Sequence, residues 1–161
     1  MKSVTNEVNI MMGKSSESDL NDDINFGASD VTDLSWLQLL NAYSCTECGR
    51  CTSVCPANMT GKKLSPRKIM MDTRDRLEEV SRNISKNNGV FKEDGNQLLD
   101  NFISREELWA CTSCNACVDA CPINIDPLSI IMRMRQYLIM EESSAHSDLN
   151  NMMNNLSLIH I

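Results

Sequence analysis

A chain of 161 residues has room for one modest domain. Hydrophobic content is ordinary at 42%, but only 4% of the residues are aromatic, so large rings supply little of the core and a bound inorganic centre is one way to add stability. The net charge of −7 excludes a general nucleic-acid binder, which is normally basic, and favours partners with basic docking surfaces.

Residues 1–32 are polar and rich in Ser, Asn and Asp, without sustained periodicity, and are expected to form a flexible leader. Met1 to Asn25 contains no apolar core of a secretory signal. No stretch approaches the roughly 18 apolar residues that span a bilayer, so no transmembrane segment is expected. The apolar run around Ile130 and Ile131 is broken by Arg133 and Arg135. A first helix is expected over Leu34 to Tyr43, opened by a Ser35–Gln38 capping box or by Asp33, with Leu37, Leu39 and Leu40 as its apolar stripe.

Cys45, Cys48, Cys51, Cys55 and Pro56 follow directly. Ser65-Pro66 then supplies an N-cap and a proline at the first helical position, and Ile69, Leu77, Val80 and Ile84 mark one face of a helix to about Asn83. Lys86 to Gly95 reads as a turn-rich connection. Ser104 with Glu107 is a second capping box, opening a helix through Leu108 and Trp109 into Cys111, Cys114, Cys117, Cys121 and Pro122. Asp126-Pro127 starts a last helix, Leu128 to about Glu141. Residues 143–161 are Asn- and Ser-rich and are expected to be a disordered tail. No segment alternates like a strand, so the fold class is all-α, with a cluster-binding domain over residues 33–142.

Eight cysteines admit disulfides, zinc or iron–sulfur clusters. Without secretion, a reducing compartment disfavours disulfides. Both cysteine groups read C-x2-C-x2-C-x3-C-P. Three cysteines at two-residue spacing let a tight loop wrap three corners of a cuboidal cluster, with the fourth one short step further, on the outgoing helix. Structural zinc sites use two C-x2-C knuckles, which makes the third step and the C-P ending superfluous for zinc. The run resembles the bacterial ferredoxin signature, in which the fourth cysteine ligates the other of two [4Fe–4S] clusters. On that resemblance, cluster one is expected on Cys45, Cys48, Cys51 and Cys121, and cluster two on Cys111, Cys114, Cys117 and Cys55. Loaded with both, the chain would carry a net charge of roughly −11.

Between Cys55 and Cys111 lie 55 residues, including the capped helix from Ser65. A compact βαββαβ ferredoxin joins its motifs by a much shorter link. The insertion resembles the α-helical ferredoxin module of succinate dehydrogenase and fumarate reductase iron–sulfur subunits. Over Leu34 to Glu141 the chain resembles the C-type subunits of heterodisulfide reductase and glycolate-oxidase-like (Fe–S)-binding proteins. The match is carried by Cys45 to Pro56, Leu64-Ser65-Pro66-Arg67, and Glu106-Glu107-Leu108-Trp109-Ala110-Cys111 through Pro122. The resemblance implies a subunit that passes single electrons between redox proteins, beside an electron-transfer flavoprotein or another flavin- or membrane-bound subunit. It implies the cytoplasm, or the cytoplasmic face of a membrane complex. A catalytic (Fe–S) oxidoreductase subunit of heterodisulfide-reductase or glycolate-oxidase type is the alternative, weakened because no cysteine is left for a further cluster and no CCG motif is present. Longer relatives of this kind add membrane helices or cysteine-rich domains, so the chain reads as a fragment or a dedicated small subunit.

Other candidates are weaker. His146 and His160 read as solvated tail residues. Lys62, Lys63, Arg67 and Lys68 could dock an acidic partner, raise the potential of the nearby cluster, or form a solvated face. Trp109 reads as core packing or a shield over the second cluster. No G-x-G-x-x-G is present, so no dinucleotide fold is visible.

Overall fold

The computed structural model describes residues 26–144 and 147–159, which leaves residues 1–25 of the expected leader, His146 and His160 outside it. Among the described residues the regular structure is helical, with no strand. The helices are α1 (Trp36–Ser44), α2 (Arg50–Ser53), α3 (Pro56–Met59), α4 (Pro66–Lys86), α5 (Arg105–Ala110), α6 (Ala116–Asp119), α7 (Pro127–Met140) and α8 (Ser147–Ile159).

Local chemistry sets most of these boundaries. Ser35 and Gln38 form a reciprocal capping box at α1, and Ser104 and Glu107 form another at α5. Ser65 and Asp126 cap α4 and α7, each followed by a proline that pre-sets the helical φ and has no N–H to satisfy. Asp33, the alternative cap of α1, instead serves a short 3-10 turn over Val31–Asp33, where it pairs with Asp30 in a capping box of its own.

The 21-residue α4 is the organising element, packing against α1, α2, α7 and an irregular turn over Leu98–Phe102. Its Ile69, Met70, Thr73, Arg76 and Val80 are buried, a helical spacing that faces one core. Leu77 and Ile84 pack on the rim of that core. From α7 come Ile130, Ile131, Met134 and Leu138.

Three expectations are corrected. The leader was expected to reach residue 32, but Ala28 and Val31 are core residues and Asp30 is buried, so the folded body includes these positions. The physical reason is Arg76, fully buried, which needs an anion: its guanidinium donates to Asp30 at 2.7 and 3.0 Å, to Asp94 at 2.6 Å and to the Asn96 carbonyl at 2.6 Å. On α1, Leu39 alone of the expected stripe packs against the core. Gln38 and Ala42 are buried, whereas Trp36, Leu37, Leu40 and Tyr43 are 50–75% exposed. Ser147–Ile159, within the tail expected to be disordered, is helical.

Candidate metal centre

The two cysteine loops share one backbone. Glu47 and Ser113, each just before the second cysteine, have φ of 58° and 55°. Gly49 and Asn115, each just after it, have φ of 81° and 67° and open the one-turn helices α2 and α6. Left-handed residues at these points curl the chain tightly; glycine and asparagine tolerate that conformation better than other residues do. The curl turns amides toward sulfur, as where Ser113 N–H donates to Cys111 Sγ at 3.4 Å.

Cys51 lies on α2 and Cys117 on α6, and these two helices pack on each other. The fourth cysteine of each motif does not sit on the outgoing helix, as expected, but just past the single turn. Cys55 has extended backbone and precedes Pro56, which opens α3, and it is only 6% exposed. Cys121 follows α6 and accepts a hydrogen bond on Sγ from Ile125 N–H at 3.4 Å.

One cavity gathers Cys45, Cys48 and Cys51 from the first loop with Cys121 from the second, and Cys117 also reaches it. Met70, Ile123 and Ile125 make its wall largely apolar, and Arg67 stands at its side. Among the described residues, no three His, Cys, Asp or Glu side chains converge on a point that would hold a single ion. A zinc ion needs four ligands within about 2.3 Å of one centre. Sulfurs spread around a cavity suit a larger, multi-iron body instead.

Electrostatics add that these sulfurs call for a bound metal. Burial pushes the Cys117 thiol up to about 12, helped by the neighbouring Cys111 and Cys114. Burial also raises Cys51, reinforced by Cys45 and Cys48. Such sulfurs are poor free thiolates at neutral pH, but coordination to iron deprotonates them outright and offsets their mutual repulsion. The donor set therefore fits an iron–sulfur cluster. When bound, such a cluster supplies a one-electron couple, and the chain's part is to ligate it, aim amides at it and keep water from it.

Around the loops the charged residues are mostly paired. Lys63 meets Glu106 at 2.5 Å, and Lys68 bridges Asp72 and Glu107 at 2.9 and 2.8 Å. Glu47, in the first loop, pairs with Arg74 of α4. Trp109 is half-buried and stacks on Arg135, whose guanidinium carbon lies 5.2 Å from the ring centre. In the sequence Arg135 stands out only as an interruption of an apolar run.

A family model described as a 4Fe-4S dicluster domain matches residues 44–125. The chain is 32% identical over 174 residues to the probable iron-sulfur-binding oxidoreductase FadF of Bacillus subtilis, covering 89% of this chain and 25% of that protein. It is 31% identical to the EtfAB:quinone oxidoreductase of Syntrophomonas wolfei, covering 71% of this chain and 19% of that one. It is 30% identical to the C-type subunit of the ferredoxin/F(420)H(2)-dependent CoB-CoM heterodisulfide reductase of Methanosarcina acetivorans, covering 63% of this chain and 49% of that protein. The chain thus spans between about a fifth and a half of the relatives' lengths. No solved structure matches it. Among the described residues, no helix is long and apolar enough to cross a membrane.

Proposed function

Because this chain belongs to the 4Fe–4S dicluster family and carries two [4Fe–4S] clusters, we propose that it relays single electrons from an electron-transfer flavoprotein toward a quinone-reducing partner on the cytoplasmic side of a membrane. The ligand sets are crossed. Cys45, Cys48, Cys51 and Cys121 hold one cluster, and Cys111, Cys114, Cys117 and Cys55 hold the other. The observation that carries this reading is the cavity in which Cys121 stands among the first three cysteines of the opposite motif.

Several features support a relay. The packing of α2 on α6 brings together the two helices that carry Cys51 and Cys117, which would set the two centres next to each other. Cys48 and Cys114 are exposed on their respective loops, which gives each centre its own face toward a partner. The flavoprotein and quinone assignments draw on the name of the Syntrophomonas relative.

The test is an anaerobic preparation assayed for iron and acid-labile sulfide, then mixed with a reduced electron-transfer flavoprotein in stopped flow. About eight iron and eight sulfide per chain are expected, with bleaching of the cluster absorbance by one electron per centre. A colourless protein without sulfide would reject the clusters. A loaded protein that the flavoprotein fails to reduce would reject the relay.

A further inference from the structure

We propose that Arg135 of α7 raises the reduction potential of the cluster held by the Cys111 loop, because it holds an unneutralised positive charge against that loop's backbone under the cover of Trp109. The inference rests on the reading that Cys111, Cys114 and Cys117 ligate a cluster.

The guanidinium is fixed from several sides. Its Nη2 donates to the carbonyls of Leu108 and Cys111, both at 2.5 Å, and its Nε to the Leu108 carbonyl at 3.0 Å. Nη1 donates to Ser113 Oγ at 3.3 Å, and the Ser113 amide in turn donates to Cys111 Sγ. The charge is thereby coupled to a ligand residue through its carbonyl and, by way of Ser113, through its sulfur. Among the described residues no carboxylate pairs with Arg135. This sets it apart from Arg74, Arg76 and Arg105, each of which meets an acid.

Screening decides whether such a charge matters. The face of Trp109 closes one side of the guanidinium, while the same indole lines an open surface groove with Lys62, Lys63 and Glu106. The ring therefore stands between the cation and bulk water. Arg50 and Arg67 at the first loop are exposed, so water and salt damp their influence on the other centre.

The sign follows from charge. Accepting one electron from a donor makes a thiolate-bound cluster one charge more negative. A fixed cation at close range stabilises that form over the oxidised one, so the couple moves to a higher potential. Arg135 touches carbonyls and a serine hydroxyl rather than a cluster ligand's sulfur, and so acts as a positioning and electrostatic residue.

The experiment is an EPR-monitored redox titration of the loaded full chain as wild type, Arg135→Gln and Arg135→Lys, with iron and sulfide counted first. In Arg135→Gln one midpoint is expected to fall by at least tenfold in reduction equilibrium, about 59 mV, while the other stays in place. Arg135→Lys should retain most of the wild-type value. Unchanged midpoints in a fully loaded Gln variant would overturn the proposal. So would equal falls in the Gln and Lys variants, because the guanidinium fork and not its charge would then be responsible. Loss of iron from the Gln variant alone would make Arg135 an assembly residue and overturn it as well. Absence of iron and sulfide from the wild type would instead reject the cluster reading on which the inference rests.

Discussion

Arg76 shows how one residue outside the cysteine loops ties distant parts of the chain together. It is fully buried and bound by Asp30 and Asp94, which brings the N-terminal segment and the loop after α4 onto one side chain. Removing one partner of a buried pair leaves the other charge without compensation. Arg76→Met is therefore expected to lower unfolding free energy by about 3–5 kcal/mol, read from urea denaturation of the loaded protein. Asp94 supplies a pH signature. The Arg76 guanidinium holds its carboxyl below the usual carboxylate range, so its contribution is present above the ordinary carboxylate pKa and is lost as pH falls through the depressed one. Wild type should exceed Asp94→Asn in stability at about pH 6, and the two should converge as pH falls below the ordinary carboxylate range. A gap that stayed constant with pH would contradict this pairing. The capping boxes were readable in the sequence because their partners lie three residues apart. Asp30 with Arg76 was not, since they stand 46 positions apart and no local pattern joins them.

Elements show the same division between near and far information. Helix starts at Ser35, Ser65, Ser104 and Asp126 were legible because cap chemistry is local. The orientation of α1 was not, because Trp36, Leu37, Leu39, Leu40 and Tyr43 put apolar groups around most of the helix, and such a pattern does not say which face is inward. Packing of the segment before α1 depends on Gly27, at φ 107°. A Cβ there would stand 2.3 Å from Tyr137 N and 2.6 Å from the Arg133 carbonyl, both backbone atoms of α7 that a side-chain rotation cannot move. The neighbouring Ala28 N–H donates to that same carbonyl at 3.2 Å. Gly27→Ala should then lever the segment off α7, with a loss on the order of 2–3 kcal/mol. Hydrogen exchange of the Ala28 amide would report the detachment directly. Protection equal to wild type would show that the segment is held by other contacts.

For the molecule as a whole, the repeated C-x2-C-x2-C-x3-C-P run declared two clusters, because ligand number and spacing are local properties of the chain. Which loop each fourth cysteine serves is a tertiary fact, and it yields the sharpest global prediction. If the ligand sets are crossed, Cys121→Ser should strip iron from the Cys45 loop, although the mutated residue belongs to the other motif. Cys55→Ser should do the reverse. Each variant would retain about four of about eight iron, so iron content alone cannot tell crossed from uncrossed ligation. Arg135 supplies the label, since it lies against the Cys111 loop. In crossed ligation the midpoint that survives Cys121→Ser is the one that Arg135→Gln shifts, and the midpoint that survives Cys55→Ser is indifferent to it. Uncrossed ligation exchanges these outcomes. Crossing also makes each cluster a bond between the two halves of the chain, so either serine variant should lower the unfolding temperature of both halves together in one transition.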